Sequence, residues 1–167
     1  MIELKAYAGF VSARLPLVLA GCELRARPPV RITSLSPFPG HTDALSEALG
    51  GFPDAGEVTG ADALRLVWAG RNLAVAFGEG LPDGLEVHCA LTDQSDGWFG
   101  LELRGKGSEA FLARRLPFDL RKLPTPGSAK TLLGHVPVLI VRLACDTFEI
   151  WTWRSVADSA LHTLAPV

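Results

Sequence analysis

The stretches VPVLIVRL (136–143) and TFEIWTWR (147–154) decide the fold class of this chain. The first is nearly all apolar and the second alternates between apolar and other residues, and both patterns are typical of strands. Only residues 144–146 separate them, which favours a hairpin. Hairpin-joined strands indicate an antiparallel sheet rather than a parallel sheet with helical crossovers.

Strands and single helices also alternate in the remainder of the sequence. Before the hairpin, the pattern predicts a strand at 98–104 and a helix at 108–116; after it, Ser155 is expected to cap a C-terminal helix. In the first half, the predicted elements are a strand at 30–35, a helix at 42–49 capped by Thr42 and ended by Gly50, and strands at 64–69 and 72–78.

This order predicts an α+β fold made of duplicated β-α-β-β units with antiparallel sheet. The chain is expected to be a single domain over 1–167, with pseudo-repeat halves at about 30–88 and 89–167. Residues 1–29 show a mixed pattern that ends in Arg27-Pro28-Pro29, and no regular element is predicted there.

Composition limits the classes of function. The chain has 167 residues, of which 48% are hydrophobic and 20% charged, so a disordered segment is excluded. Its formal net charge of −2 gives no basic excess for nucleic acid. No apolar run reaches the roughly 18 residues of a membrane-spanning helix.

The three cysteines, Cys22, Cys89 and Cys145, are odd in number and widely spaced, so they favour buried free thiols in a reducing compartment. The tetrapeptide Leu19-Ala20-Gly21-Cys22 resembles the lipobox of an exported lipoprotein. However, Arg14 and Pro16 interrupt the apolar stretch that an export signal requires. The expected location is the cytoplasm.

Two glycine-containing stretches resemble nucleotide-binding loops. GKGSEA (105–110) fits G-x-G-x-x-A, but the helix after it runs into Pro117 and no parallel strand follows, so we interpret it as a tight strand-to-helix turn. GSAKT (127–131) has Ala129 where a phosphate loop requires glycine, and that assignment is rejected.

The polar side chains do not form a catalytic or metal-ligating pattern. His41, His88, His135 and His162 lie in separate predicted elements, without the spacing that places two ligands on one helical face. Asp93 and Asp96 resemble a general acid and base pair, but their TDQSDG context favours turn residues that accept hydrogen bonds from nearby amides. The sequence therefore predicts no catalytic, cofactor-binding or metal site in this chain.

The last predicted strand carries the candidate partner interface. If Phe148, Ile150 and Thr152 face the core, then Glu149, Trp151 and Trp153 lie on the opposite face. Interfaces are enriched in tryptophan, so these three residues are the candidate contact surface. Cover of this face by the chain's own helices is favoured over a contact surface, because tryptophan is highly buried on average.

Several short motifs resemble the gamma subunit of heterotetrameric sarcosine oxidase. In the second half they are TDQSDGW (92–98), L-x-L-x-G (101–105), FL (111–112), LPFDL (116–120), KTLL (130–133), F-x-I (148–150) and RS-x-AD (154–158). The first half adds FP (52–53) and LVWAG (66–70), with Arg71 where the family tends to carry proline. Asp93, Ser95, Asp119 and Gly127 also resemble the wider folate-binding family of the glycine-cleavage T-protein.

The resemblance implies a duplicated, T-protein-like architecture with ferredoxin-like halves. It implies a non-catalytic accessory subunit of a complex that oxidatively demethylates sarcosine to glycine, with formaldehyde or methylene-tetrahydrofolate and hydrogen peroxide as products. The implied partners are the alpha, beta and delta subunits. The implied cofactors FAD, FMN, NAD and tetrahydrofolate are carried by the larger alpha and beta subunits. The alternative is a free-standing folate-binding, aminomethyltransferase-like protein of one-carbon metabolism.

Overall fold

Eleven strands and three α-helices account for most of the residues described by the computed structural model, which are 14–61 and 63–165. The strands are β1 (Leu17–Leu19), β2 (Cys22–Ala26), β3 (Ile32–Pro37), β4 (Val58–Ala61), β5 (Leu64–Gly70), β6 (Leu73–Gly78), β7 (Cys89–Asp93), β8 (Trp98–Arg104), β9 (Gly127–Leu133), β10 (Val136–Ala144) and β11 (Thr147–Trp153). The helices are α1 (Thr42–Leu49), α2 (Ser108–Ala113) and α3 (Ala157–Leu164). Short 3₁₀ turns occupy Leu85–Val87, Leu120–Lys122 and Arg154–Val156.

The strands form two antiparallel sheets. The first has the order β1-β2-β8-β11-β10-β9 and the second has the order β4-β5-β6-β3-β7. Every neighbouring pair is antiparallel. The predicted α+β class with antiparallel pairing is confirmed, as are the hairpins β5–β6 and β10–β11.

The two sheets share one strand order. The run β9-β10-β11-β8 in the first sheet matches the run β4-β5-β6-β3 in the second. In each run, one helix follows the first strand in sequence, and three strands come after the helix. The predicted β-α-β-β unit did not include the strand directly after each helix, which is β4 in one unit and β9 in the other. Strand β4 has only four residues, and β9 begins as GSAKT, which is poor in strand-forming residues.

Three buried clusters divide the molecule into layers. The largest lies between the first sheet and helices α2 and α3, where Phe148 and Ile150 pack against Leu112 and Leu161. A second fills the space between the sheets, and a third joins α1 to the second sheet through Leu45. The order of layers is therefore helix, sheet, sheet, helices.

The helices begin and end slightly differently from the prediction. Gly50 ends α1 with a φ of 69°, a left-handed conformation that glycine adopts without strain. Neither predicted N-cap is correct, because Thr42 is the first helical residue of α1 and Ser155 lies inside a 3₁₀ turn before α3. Helix α2 stops at Ala113 instead of Leu116, and residues 114–115 form a turn before Pro117.

Residues 14–29 contain a hairpin that the sequence did not predict. Strands β1 and β2 pair across Ala20-Gly21, and β2 extends the first sheet beside β8. Cys22 of the lipobox-like tetrapeptide is buried in the largest cluster. None of the described helices is long and apolar enough to cross a membrane.

Candidate functional site

The face of β11 that points away from helices α2 and α3 carries the three residues predicted as a partner interface. The structure gives each of them a different environment. Glu149 is fully buried and Trp151 is almost so, while Trp153 at the end of the strand remains 42% exposed. The second sheet covers Glu149 and Trp151, so this face is buried within the chain except at Trp153. The cover is a sheet and not the helices that the sequence predicts.

Glu149 is the centre of an ionic network between the sheets. Its Oε2 accepts hydrogen bonds from Arg65 Nη2 at 2.5 Å and Trp151 Nε1 at 2.9 Å. Arg27 Nε lies 3.3 Å from Oε1, and Arg27 Nη1 also pairs with Glu102 Oε2 at 3.1 Å. Two guanidinium groups thus compensate a carboxylate that would be costly to bury alone.

The network borders a cavity of about 320 Å³ between the sheets. Arg27, Arg65 and Glu149 supply its polar wall, and Phe77 and Trp151 supply aromatic surface. The Nε atoms of both arginines and Glu149 Oε1 are buried without an aligned hydrogen-bond partner. Water is the usual hydrogen-bond partner of such buried polar atoms in polar cavities.

Trp151 joins the two sheets through its ring. Its ring centroid lies 4.7 Å from that of Phe77 on the second sheet. On its own sheet it lies over Gly100, where an added side-chain carbon would be only 2.5 Å from the ring. The absence of a side chain at position 100 therefore makes space for Trp151.

The exposed Trp153 forms an aromatic pair with the half-buried Trp98. The ring centroids are 4.6 Å apart, and Trp98 Nε1 donates to Gln94 Oε1 at 3.0 Å. Arg154 Nε fixes the preceding turn by donating to the carbonyl oxygen of Asp96 at 2.8 Å. A mainly apolar cavity of about 170 Å³ opens beside the pair. Trp153 is thus the one predicted interface residue that this structure leaves accessible to a partner.

The G-x-G-x-x-A stretch forms the tight turn that we predicted between β8 and α2. A side-chain carbon at Gly105 would lie 2.8 Å from the carbonyl oxygen of Gly21, and one at Gly107 would lie 2.9 Å from that of Ala20. The β1–β2 turn therefore occupies the space over these glycines. The second glycine-containing stretch, residues 127–131, belongs to strand β9 and forms no phosphate-binding loop.

Asp93 has the predicted turn role. Its Oδ1 accepts hydrogen bonds from Ser95 N at 2.9 Å and Ser95 Oγ at 2.6 Å. These bonds lower the pKa of the Asp93 carboxyl below its usual value. Asp96 takes part through its backbone carbonyl, as described above.

Sequence reasoning missed one histidine contact. His41, just before α1, and His88, just before β7, lie with their Nδ1 atoms 3.2 Å apart. They are 47 positions apart in sequence, so no local spacing could indicate the contact. Over residues 14–61 and 63–165, no group of three or more His, Cys, Asp or Glu side chains is placed to hold a metal ion.

The ionic network was also missed, although one of its members carried a signal. Arg65 interrupts the apolar run of β5, and strand alternation places its side chain on the same face as Val67, toward the first sheet. A lone arginine on a buried strand face requires a buried acceptor. Glu149, on a strand of the other sheet, is that acceptor.

Comparison with known proteins shows a shared fold. One chain of the heterotetrameric sarcosine oxidase from Corynebacterium sp. U-96, in complex with pyrrole 2-carboxylate, superposes with a TM-score of 0.76 and 24% sequence identity. The match covers 92% of this chain and 87% of that chain, so the two are of similar length. A chain from the aspartokinase alpha and beta subunits reaches a TM-score of 0.37 at 12% identity, over 86% of this chain and 97% of that one. No protein-family model and no curated protein matches the sequence.

Proposed function

We propose that this chain is the gamma, non-catalytic accessory subunit of a heterotetrameric sarcosine oxidase. The observation that carries the proposal is the fold likeness to a chain of such a complex over nearly the full length of both chains. The motifs at 92–98, 116–120 and 154–158 support the same assignment through their resemblance to the gamma subunit. The similar lengths favour a small subunit as the counterpart.

The finer architecture of the proposal is a duplicated, T-protein-like unit. Support comes from the common strand order of the two sheets, with β9-β10-β11-β8 matching β4-β5-β6-β3. A duplicated scaffold suits a supporting role, because its two halves bury each other's inner faces.

In this proposal the chemistry belongs to the whole complex. Sarcosine, oxygen and water give glycine, formaldehyde and hydrogen peroxide, and tetrahydrofolate accepts the one-carbon unit where it is present. FAD, FMN, NAD and tetrahydrofolate are held by the larger alpha and beta subunits. This chain contributes contacts to the alpha, beta and delta subunits in the cytoplasm.

Affinity purification of the full chain from its own cells tests the proposal. We expect recovery with three other chains, a flavin absorbance band, and peroxide production that depends on sarcosine. Recovery of a colourless, single chain while the partner genes are expressed would contradict the proposal. Tight tetrahydrofolate binding by that isolated chain would instead favour the aminomethyltransferase-like alternative.

The Trp98–Trp153 pair, through its exposed member Trp153, is the proposed contact with another subunit. A half-exposed tryptophan beside an apolar cavity is the kind of residue that dominates interface energetics. We expect Trp153→Ser to lower recovery of the partner chains by about tenfold or more. Val18→Ser, which changes an exposed apolar residue on β1, is the matched control and should leave recovery unchanged.

A further inference from the structure

Strand β7 forms one outer edge of the second sheet and is unusually exposed. Four of its five residues, from Ala90 to Asp93, are exposed. Leu91 at its centre is 39% exposed, and Val87 just before the strand is more exposed still. An apolar side chain at the centre of an edge strand is therefore open to contact.

Comparison of the two sheets shows that one strand position beside β7 is vacant. In the first sheet, β8 is followed outward by β2 and then by β1. In the second sheet, the equivalent β3 is followed by β7, and no further strand comes from residues 14–61 or 63–165. Among these described residues, the position that β1 fills in one sheet has no counterpart in the other.

The backbone of β7 has hydrogen-bonding groups that point to this position. Phe38 N donates to His88 O, and Gln94 N donates to Ile32 O, at the two ends of the β3–β7 pairing. Since hydrogen-bonded and non-hydrogen-bonded pairs alternate along an antiparallel ladder, Ala90 and Thr92 bond to β3. The N–H and C=O groups of residues 91 and 93 therefore point outward, whereas Cys89, next in the same alternation, is buried.

Strand β7 also lacks the features that usually protect an edge. It contains no Lys, Arg or Pro, and its register with β3 has no bulge. The other edges are protected: β1 has three residues, β4 has four with an internal glycine, and β9 carries Lys130 at its centre.

Charge distinguishes between two occupants of this edge. Asp93 lies at one end of β7, and Glu86 lies in the 3₁₀ turn just before the other end. A second copy pairing antiparallel about Leu91 would place Asp93 of one copy opposite Cys89 of the other, three residues from Glu86. Acidic side chains would then lie near one another at both ends, which disfavours self-association.

We propose that β7 is a docking edge to which an extended segment of a different polypeptide adds as a sixth strand. Its backbone pairs with residues 91 and 93, its central apolar side chain covers Leu91, and Lys or Arg toward its ends meets Glu86 and Asp93. The inference rests on the proposed function only for the source of that segment, which would be another subunit of the oxidase.

Amide hydrogen exchange on the purified full chain and on its native assembly tests the proposal. In the isolated chain, the amides of residues 91 and 93 should exchange fast, while those of 90 and 92 are already protected by β3. In the assembly, the two outward amides should slow by roughly 100-fold. An unchanged rate in an assembly that contains the oxidase subunits would overturn the docking edge and leave the proposed function intact.

Two matched variants complete the test. Leu91→Lys removes the apolar contact and repels a basic strand, so recovery of the partner should fall about tenfold. Leu132→Lys, at an exposed leucine on β9 of the other sheet, should leave recovery unchanged. Both isolated variants should keep the melting temperature of the parent chain within a few degrees, since exposed substitutions cost little.

The remaining outcomes each contradict the proposal. A dimer of this chain in which the outward amides are protected would show that a second copy, and not a different polypeptide, occupies the edge. Protection of those amides in the isolated chain would mean that the chain fills its own edge. A monomer recovered alone, with both outward amides exchanging fast, would overturn both this inference and the proposed function.

Discussion

Glu149 is a carboxylate at the centre of an apolar layer, and its position depends on the arginines around it. A fully buried, isolated carboxylate would be neutralised or would destabilise the fold by several kcal/mol. Arg65 offsets that cost most directly, because its own side chain is largely buried, with only 15% of it exposed. The pair also connects β5 of one sheet to β11 of the other.

Removing Arg65 should therefore destabilise the whole chain. We expect Arg65→Ala to lower the free energy of unfolding by about 3 kcal/mol, since Glu149 would retain only Arg27 and Trp151 as partners. Urea unfolding measures the change. Arg25→Ala breaks a pair with Glu23 that lies at the surface, and it should produce no measurable change. Equal stabilities of the two variants would show that the buried network contributes nothing.

The three cysteines should differ sharply in reactivity. Cys145 is exposed, whereas Cys22 and Cys89 are buried. Burial, assisted by the nearby Glu86 carboxylate, raises the pKa of the Cys89 thiol, so less reactive thiolate is present at any given pH. Iodoacetamide at pH 8 should modify Cys145 alone in the folded chain and all three cysteines in urea. Mass spectrometry would contradict this if Cys89 were labelled as fast as Cys145 without denaturant.

At the scale of elements, the turn between β8 and α2 and the β1–β2 hairpin fix one another. Gly105 has a φ of 140° and lies against the backbone of Gly21 and Cys22. Any side chain there is strained and also pushes against backbone that cannot move without displacing the hairpin.

Gly105→Ala should accordingly cost more than a glycine substitution that introduces strain alone. Gly80 supplies that comparison, because its φ is 99° and no heavy atom lies within 4 Å of the added carbon. We expect Gly105→Ala to lower the free energy of unfolding by about 1–3 kcal/mol more than Gly80→Ala does. Thermal unfolding of both variants measures the difference, and similar losses would mean that the hairpin adjusts freely.

The elements that the sequence predicted well are those in which local pattern and tertiary role agree. Strand β8 matches its prediction because Phe99, Leu101 and Leu103 alternate and all face one core cluster. Strand β9 was missed because its first residues are small or polar, and it is a strand only through its ladder with β10. Strand β7 was missed for a similar reason, since it has no buried face and only Cys89 is buried.

The candidate site was harder to predict because its parts come from distant positions. Arg65 and Glu149 are 84 residues apart, so no local spacing joins them. Alternation correctly placed Glu149, Trp151 and Trp153 on one face of β11. What it could not provide was the second sheet that covers two of them and leaves the third exposed.

At the scale of the whole molecule, the inter-sheet layer makes the two sheets one folding unit. Phe77 from the second sheet and Trp151 from the first share this layer with Leu139 and Val141. If either sheet unfolded by itself, the inner face of the other sheet would become exposed to solvent. Cooperative unfolding is expected when such a core is shared.

Phe77→Ala tests this coupling, because the residue belongs to one sheet and supports both. Its ring packs 4.7 Å from Trp151, and its loss should cost about 3–5 kcal/mol. Native-state amide exchange should then accelerate by the same factor in β6 and in β10, although β10 lies in the other sheet. Leu132→Ala, at an exposed position on β9, should change neither rate. Acceleration confined to the second sheet would contradict the coupling, because it would mean that each sheet holds its own core without the layer between them.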